Sequence, residues 1–236
     1  MKKVSISCFC PCYNDAGSIA SMVVLMDKVV RSITDDYELI VIDDGSSDRS
    51  RLILRELEAR YPKLRLIFHD TNKGYGGALQ AGFYASTKEF VFYTDGDFQY
   101  DITEMPKLAA LMDDGIDVVN GYKVTRSDSL SRIIIGYMYQ YFMKFLFQFK
   151  IRDVDCDFRL MRRKVFDNLN LKYKSGVVCV EMIRKMQDRG CAFAEVPVSH
   201  HHRVYGRSQF FNFRRIFQVG RDLLRLWWDL VIIRRG

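Results

Sequence analysis

Apolar residues in the first half of the chain recur with two alternating periods, one typical of strands and one typical of helices. Short apolar runs predict strands at residues 4–9, 38–42, 64–68, 90–94 and 117–120. Between them, apolar residues spaced three and four apart predict helices at 19–32, 47–59, 76–85 and 105–112. Repeated strand–helix units of this length predict an α/β fold, with a mostly parallel sheet covered by helices on both faces.

The second half has a different composition. Residues 129–149 are rich in aromatic and basic residues, and a helix is expected at about 177–187. From residue 210 onward, apolar residues at near-helical spacing stand beside arginines, with Trp227 and Trp228 among them. These features favour interfacial helices that lie on a membrane, because the aromatics of the first segment exceed one core-facing stripe. Packing of both segments on the sheet is the alternative, and the tail is also suited to homodimerisation. We divide the chain into a catalytic domain at 1–209 and a basic amphipathic C-terminal helix at 210–236.

Composition narrows the choice of partners. The 236 residues suit one domain, and the net charge of +7 indicates an anionic partner: a nucleic acid, an acidic membrane surface or a phosphorylated substrate. Nucleic acid is disfavoured, because the basic residues accompany aliphatic faces and no nucleic-acid motif is present. No apolar run reaches the ~18 residues of a membrane-spanning helix.

The six cysteines are expected to be reduced, since no signal peptide precedes the first of them. Cys8, Cys10 and Cys12 alternate along a predicted strand and so share one face. Zinc sites generally use wider spacing. We therefore expect these thiols to pack as small apolar side chains.

Three polar clusters follow predicted strands, at residues 11–15, 43–48 and 95–101. In parallel sheets ligands bind beyond the carboxyl ends of the strands. Asp95 and Asp97 flank one glycine, and Gln99 lies one alternate position further. Oxygen ligands of this kind suit Mg²⁺ or Mn²⁺ held against a diphosphate, although an Asp-Gly-Asp sequence also occurs in ordinary solvated turns.

Two further clusters fit a nucleotide. The carboxylates of Asp43 and Asp44 are suited to accept hydrogen bonds from ribose hydroxyls or a base, while Ser46 or Ser47 caps the next helix. The glycine-rich segment 72–78 leads into a helix, whose start favours anions, and Lys73 adds charge. It matches neither a phosphate-binding loop nor a dinucleotide fingerprint, which removes the main support for a kinase or a dehydrogenase.

Taken together, the motifs resemble the family 2 inverting glycosyltransferases, most of all the dolichyl- and polyprenyl-phosphate sugar synthases. The matching segments run in the family's order over residues 4 to about 210: 11–15, 43–48, 72–78, 95–99, 153–159, 195–198 and 203–208. Singly they are ordinary, whereas the ordered set is specific.

The resemblance implies a glycosyltransferase A-type fold, which is Rossmann-like, and a nucleotide-sugar donor carrying uridine or guanosine. It implies a nucleotide-binding set of Pro11, Tyr13, Asp15, Asp43, Asp44, Lys73 and Asp95, and a metal-binding set of Asp95, Asp97 and Gln99. Lys123, Arg132 and Arg203 would grip an acceptor phosphate, and Asp95, Asp97, Arg132 and Arg203 would carry catalysis.

Three positions depart from the family's pattern. Asp15 stands where Glu is common, Lys123 replaces an arginine fork with a point charge, and Gly136 stands where a serine hydroxyl is frequent. The histidines at 200–202 either face the diphosphate or end a partly exposed strand.

The resemblance therefore predicts a metal-dependent inverting transfer of one sugar to polyprenyl or dolichyl phosphate, by a cytoplasmic enzyme held peripherally on the cytoplasmic face of a membrane. A phosphate monoester has its second pKa near ~6, so it attacks without a general base. A hydroxyl of a saccharide, protein or small molecule is the alternative acceptor, and it would need Asp157 or Glu181 as base. A catalytically silent membrane scaffold is a third reading, which the intact acidic segment disfavours.

Overall fold

The computed structural model describes residues 4–126, 130–202 and 213–233, without the side chains of 125–126, 130–135, 137 and 213–216. The strands in these ranges are β1 (Ile6–Cys12), β2 (Tyr37–Asp43), β3 (Leu64–Phe68), β4 (Phe90–Thr94), β5 (Val118–Arg126), β6 (Phe158–Arg162) and β7 (Phe193–His200). The α-helices are α1 (Ile19–Ile33), α2 (Ser50–Glu58), α3 (Tyr75–Ala85), α4 (Met105–Leu111), α5 (Leu130–Phe147), α6 (Val177–Asp188) and α7 (Phe213–Trp227).

The seven strands form one sheet in the order β3-β2-β1-β4-β6-β5-β7. The pairs β1–β2, β1–β4, β2–β3 and β5–β7 are parallel, and β6 runs antiparallel to both β4 and β5. The predicted α/β architecture, mostly parallel with a C-terminal helix, is confirmed. Because β1, β2 and β4 are parallel, their carboxyl ends open onto the same edge of the sheet.

Two apolar clusters cover the sheet, one on each face. The first joins β1 to α1, and the second joins α3, α5, α6 and α7 to the opposite face. Cys8, Cys10 and Cys12 belong to the first cluster and Phe9 belongs to the second, as alternation along a strand requires. All three thiols are fully buried, and burial raises the pKa of Cys12 to about 12. These cysteines are packing residues, as expected.

Element bounds differ from the sequence prediction where long-range pairing decides them. β5 continues past Asn120 to Arg126, because its outer half pairs in parallel with β7. α2 starts at Ser50 rather than at residue 47, and neither predicted serine caps it. Instead the Ser46 hydroxyl accepts a hydrogen bond from the Asn14 backbone N–H at 3.0 Å, joining the ends of β1 and β2.

The aromatic helix α5 has one buried and one exposed face. Met143 and Phe147 are buried in the second cluster, whereas an opposite stripe is exposed, formed by Met138, Tyr141, Phe142 and Phe145. α7 packs beside it through Leu226, and the indole N–H of Trp227 donates to the Leu146 carbonyl at 3.0 Å. Among the residues with described positions, none of the helices is long and apolar enough to cross a membrane.

Candidate active site

The acidic turn after β4 is packed against the end of β1. A Cβ at Gly96 would lie 2.3 Å from the Pro11 carbonyl oxygen, so a side chain at this position is excluded unless the backbone moves. The Ser18 hydroxyl, at the start of α1, donates to the Gly96 carbonyl at 3.2 Å. The small residue between Asp95 and Asp97 therefore brings both carboxylates close to the end of β1.

The predicted nucleoside residues line the ends of β1 and β2. The Asp15 carboxylate accepts a hydrogen bond from the Tyr13 N–H at 3.0 Å, which closes the turn after Pro11. Asp43 is fully buried, and its Oδ2 accepts a hydrogen bond from Arg51 Nε at 2.6 Å. Within the described part of the chain its Oδ1 has no donor. A buried acceptor without a donor is costly, so this oxygen suits the N–H or hydroxyl of a bound nucleoside.

Asp44 holds the glycine-rich turn. Its Oδ1 lies 2.6 Å from Nδ1 of the buried His69 and accepts from the Lys73 N–H at 2.8 Å. The Lys73 side chain is exposed at the rim. The assignment of Asp44 and Lys73 to a nucleotide stays a prediction, and the contacts of Asp44 also explain how the turn is held beside β2.

The predicted metal-binding residues lie together on the turn after β4. Tyr75 donates to Asp95 Oδ1 at 2.6 Å, and Asp97 Oδ1 accepts from the Gln99 N–H at 3.0 Å. Gln99 Nε2 donates to the His201 carbonyl at 3.1 Å, which ties the turn to the end of β7. Burial raises the pKa of Asp95 well above its usual range, and the charges of Asp157 and Asp97 raise it further.

This donor set fits a hard divalent cation. Asp95 and Asp97 present carboxylate oxygens on one short turn, and crowded carboxylates gain most from a nearby cation. Across the described residues, no group of three or more His, Cys, Asp or Glu side chains is arranged to hold a metal ion. Asp95 and Asp97 would supply part of a coordination shell, and a substrate diphosphate is a usual source of further oxygen ligands.

A buried polar cluster stands behind the acidic turn. Asp157 Oδ1 accepts from the Tyr93 hydroxyl at 3.0 Å and from Cys179 Sγ at 3.2 Å. Arg159, fully buried on β6, donates to Asn120, to Tyr93 and to the Val154 carbonyl, and its Nη1 lies 3.5 Å from Asp157 Oδ1. The fully buried guanidinium and the partly buried carboxylate thus compensate each other's charge.

Glu181 has a structural environment. Its carboxylate is fully buried and accepts hydrogen bonds from the N–H groups of Lys172 and Tyr173 at 2.9 and 3.1 Å. Lys185 Nζ lies 2.9 Å from its Oε1. These contacts occupy the carboxylate as an anchor of the 172–173 segment, and Asp157 is the better placed of the two predicted base candidates.

A second candidate site is a pocket between α5, β5, the end of β7 and residues 153–155. It is lined by Lys123, Gly136, Tyr139, Gln140, Asp153, Asp155 and His200. Two of the positions predicted for the acceptor, Lys123 and Gly136, therefore meet in one pocket. Lys123 Nζ donates to the Asp155 carbonyl at 2.8 Å and lies 3.6 Å from Asp153 Oδ2, so its charge is largely compensated within the protein.

Asp155 is the unusual member of this pocket. Burial raises the pKa of its carboxyl to about 7, the charges of Asp153 and Asp157 raise it as well, and Lys123 opposes them. Its carboxylate is not a hydrogen-bond partner of any side chain in the described ranges. The pocket thus offers a group that changes charge near neutral pH.

The remaining predicted residues divide into two groups. Arg203 and the side chain of Arg132 lie outside the described residues. Of the three histidines, His200 packs edge-on against the Tyr100 ring at 5.0 Å and lines the second pocket, while His201 and His202 are exposed. The histidine segment is the end of a strand, as one of the two readings predicted, and a contact of a histidine with a diphosphate stays a prediction.

Sequence reasoning missed several residues of the site: Tyr75, Tyr93, Asn120, Tyr139 and Asp155. One signal was available, because three acids, Asp153, Asp155 and Asp157, stand at alternate positions directly before β6. Tyr75 had no such signal, since only folding brings the start of α3 against the end of β4.

Comparison with known proteins agrees with this geometry. The family model described as "Glycosyl transferase family 2" matches residues 7–169. An undecaprenyl-phosphate 4-deoxy-4-formamido-L-arabinose transferase of Klebsiella pneumoniae subsp. pneumoniae is 30% identical over 226 residues, covering 95% of this chain and 67% of its own length. The protein of the same name from Klebsiella pneumoniae strain 342 is 29% identical over the same length.

Among solved structures, the fold is similar to glucosyl-3-phosphoglycerate synthase from Mycobacterium tuberculosis. Its complex with Mn²⁺, uridine diphosphate and glucosyl-3-phosphoglycerate superposes with a TM-score of 0.71 at 17% identity, covering 96% of this chain and 79% of that one. A complex with Mg²⁺ and uridine diphosphate gives 0.69 at 18% identity, with 94% and 79% covered. At this identity the likeness concerns the fold. The family match extends over most of the chain, and the protein therefore belongs to glycosyltransferase family 2.

Proposed function

We propose that this glycosyltransferase transfers one sugar from a nucleotide-sugar, bound at the ends of β1, β2 and β4, to a polyprenyl or dolichyl phosphate bound in the pocket around Lys123. The donor carries uridine or guanosine diphosphate, and the transfer inverts the anomeric centre. The relatives named as undecaprenyl-phosphate sugar transferases support a lipid-phosphate acceptor.

The observation that carries the proposal is the adjacency of two sites. Asp43 ends β2 and the carboxylates of Asp95 and Asp97 follow β4, so they lie at the same edge of the sheet. Lys123, which lines the pocket, is close enough to Asp95 for its charge to oppose the rise in the pKa of that carboxyl. Asp157 is close enough to both sites for its charge to raise the pKa of Asp95 and of Asp155. A donor diphosphate in the first site and a phosphate in the second would thus be close neighbours.

Each side chain then has a physical task. Asp43 Oδ1 accepts a hydrogen bond from the nucleoside, and the closed turn after Pro11 shapes the wall beside it. Asp95, Asp97 and Gln99 would hold Mg²⁺ or Mn²⁺, which when bound supplies compensation for the charge of the departing nucleoside diphosphate. Solved structures of similar fold were obtained with Mn²⁺ and with Mg²⁺.

Binding of a phosphate acceptor requires cationic side chains more than it requires a general base. A phosphate monoester is largely dianionic at neutral pH and is its own nucleophile. The described lining of the pocket supplies one cation, Lys123, and two carboxylates, Asp153 and Asp155. We therefore assign the main compensation of the acceptor charge to Arg132 and Arg203, whose forked guanidinium groups suit phosphate oxygens.

The donor and acceptor assignments are tested together with labelled donors. Purified protein is incubated with UDP- and GDP-sugars, undecaprenyl phosphate and Mn²⁺, and label is counted in the lipid phase. We expect lipid-linked label from one donor, loss of transfer in Asp97→Asn, and retention in Asp113→Asn, an exposed acid far from the crevice. Label that appears only on hydroxyl acceptors would refute the lipid-phosphate assignment, and full transfer by Asp97→Asn would refute the metal assignment.

A lipid acceptor also requires a membrane, and we propose peripheral contact with its cytoplasmic face through α5 and α7. The exposed stripe of α5 continues the helix that lines the Lys123 pocket. Phe217 and Leu224 on α7, and Trp228 and Ile232 in the turn that follows it, are exposed apolar residues beside the exposed Arg221 and Arg225. Apolar stripes flanked by arginines suit an anionic lipid surface.

Vesicle sedimentation tests this contact. The protein should pellet with phosphatidylglycerol-containing vesicles and less with phosphatidylcholine alone. The double variant Phe142→Asp with Phe145→Asp should lose most of this binding, whereas Val24→Asp, at an exposed apolar position on α1, should keep it. Equal sedimentation of all three proteins would exclude the α5 stripe as the contact, and a concentration-dependent dimer that hides the stripe would favour self-association instead.

A further inference from the structure

The hydroxyl of Tyr75 is aimed at a carboxylate of the proposed metal site. Tyr75 is the first residue of α3, and its hydroxyl lies 2.6 Å from Asp95 Oδ1. A phenol is protonated at neutral pH and a carboxylate can only accept, so the tyrosine is the donor. In the described ranges of the chain, Asp95 Oδ2 receives no hydrogen bond. One oxygen of the carboxylate is thus taken by the protein, and the other is left for a ligand.

Backbone contacts fix the position of Tyr75. The Gly76 N–H donates to the Lys174 carbonyl at 2.8 Å. A Cβ at Gly74 would lie 2.6 Å from the Lys174 carbonyl oxygen, and one at Gly76 would lie 2.4 Å from the Tyr173 carbonyl oxygen. Gly74 also has a φ of 81°, which side chains rarely adopt. The glycines on both sides of Tyr75 therefore let the start of α3 rest directly on the 173–174 backbone.

The 173–174 backbone is itself held from behind. The buried Glu181 carboxylate accepts from the N–H groups of Lys172 and Tyr173, and Gln80 Nε2 donates to the Tyr173 carbonyl at 2.9 Å. The Tyr75 hydroxyl therefore has little freedom to move away from Asp95, because the backbone that positions it is held by these hydrogen bonds. This arrangement matches the way in which proteins orient metal-binding side chains through a second layer of hydrogen bonds.

We propose that Tyr75 is a positioning residue for the metal-binding carboxylate: its hydroxyl occupies Asp95 Oδ1 and so orients Oδ2 toward the cation of the donor site. The proposal rests on the metal assignment made above. It extends that assignment to a residue that contacts neither the donor nor the cation. This residue lies at the start of α3, whereas the acidic turn follows β4.

Metal binding by the full chain without donor tests the proposal, because it needs no turnover. Mn²⁺ is titrated at constant pH and followed by electron paramagnetic resonance or calorimetry. Loss of an outer hydrogen bond typically weakens metal affinity by about 10–100-fold, so Tyr75→Phe should bind Mn²⁺ more weakly by a factor in this range. Tyr84→Phe is the matched control, since Tyr84 lies on the same helix and its hydroxyl donates to the Leu169 carbonyl at 3.3 Å.

Three outcomes separate the possibilities, with the thermal unfolding of every variant measured beside the titration. Weaker Mn²⁺ binding by Tyr75→Phe, at an unfolding temperature equal to that of Tyr84→Phe, supports the positioning role. Wild-type affinity in Tyr75→Phe, together with lost affinity in Asp95→Asn, overturns this inference and leaves the metal site intact. Wild-type affinity in Asp95→Asn overturns the metal assignment itself, and the role of Tyr75 falls with it. If Tyr75→Phe unfolds early, Tyr75→Leu serves as the second variant without a hydroxyl, and the same outcomes apply.

Discussion

The carboxyl of Asp155 should make the stability of the protein fall as the pH rises. In the folded chain its pKa is raised from the ordinary value of 3.8 to about 7, because burial and the charges of Asp153 and Asp157 oppose ionisation. The unfolded chain loses this proton near the ordinary value. Between the two pKa values the folded state binds more protons, so the free energy of unfolding decreases with rising pH and levels off above about pH 7.

The size of the effect follows from the shift. A displacement of about 3 pKa units corresponds to about 4 kcal/mol at 1.36 kcal/mol per unit, which is the upper bound. Asp155 is partly exposed to solvent, so screening reduces this bound to about 2 kcal/mol. Asp155→Asn keeps the shape of the side chain and cannot ionise. The variant should therefore be more stable than the wild type by about 2 kcal/mol at pH 8 and nearly equal to it at about pH 3, below the pKa of the carboxyl in the unfolded chain.

Urea unfolding followed by circular dichroism at a series of pH values measures this difference. Asp70→Asn is the control, because Asp70 is exposed and should leave the pH dependence of the wild type unchanged. Parallel curves for wild type and Asp155→Asn across the whole range would refute the reasoning. The same titration should weaken acceptor binding above pH 7, since a new negative charge then faces a phosphate dianion.

Two further predictions concern packing and the anchor behind α3. A Cβ at Gly82 would lie 2.4 Å from the ring of Phe9, whereas one at Gly220 meets no atom within 4 Å, and both glycines lie inside helices. Gly82→Ala should thus lower the free energy of unfolding by about 1–3 kcal/mol, and Gly220→Ala should raise it by about 0.5–1 kcal/mol. Urea titrations of both variants measure these changes, and changes of the same sign would contradict the prediction. Glu181→Ala leaves the buried Lys185 without its partner and should lower the free energy of unfolding by about 3–5 kcal/mol. The midpoint of urea unfolding should fall accordingly. A midpoint equal to that of the wild type would exclude an anchoring role for Glu181.

Much of the first half of the fold could be predicted from local patterns. The run at 64–68 is β3 and the run at 90–94 is β4, because both are short apolar segments between turns. α1 follows its apolar stripe, with Met22, Val23 and Met26 buried. In these elements the spacing of the hydrophobic residues matches both the local secondary structure and the face that is buried in the core. Their structure can therefore be predicted without knowledge of distant contacts.

The second half was less predictable, for two reasons. The outer part of β5 contains Lys123 and Arg126 and is a strand only because β7 pairs with it. β6 has Arg159 as its second residue, which hydrophobicity alone does not favour in a buried strand. Hydrogen bonds to Tyr93 on β4 and Asn120 on β5 stabilise this arginine. Both strands depend on partners distant in the chain, and periodicity alone carries no information about them.

The candidate site divides in the same way. By itself the sequence determined the presence and order of the acidic, glycine-rich and basic motifs, and with them the family, because each motif is a short segment next to a strand end. Only the tertiary structure decided that the Tyr75 hydroxyl contacts Asp95, that Arg159 lies beside Asp157, and that Asp155 and Lys123 line one pocket. These contacts join elements far apart in the chain, and burial and electrostatic coupling exist only once the sheet has brought the elements together.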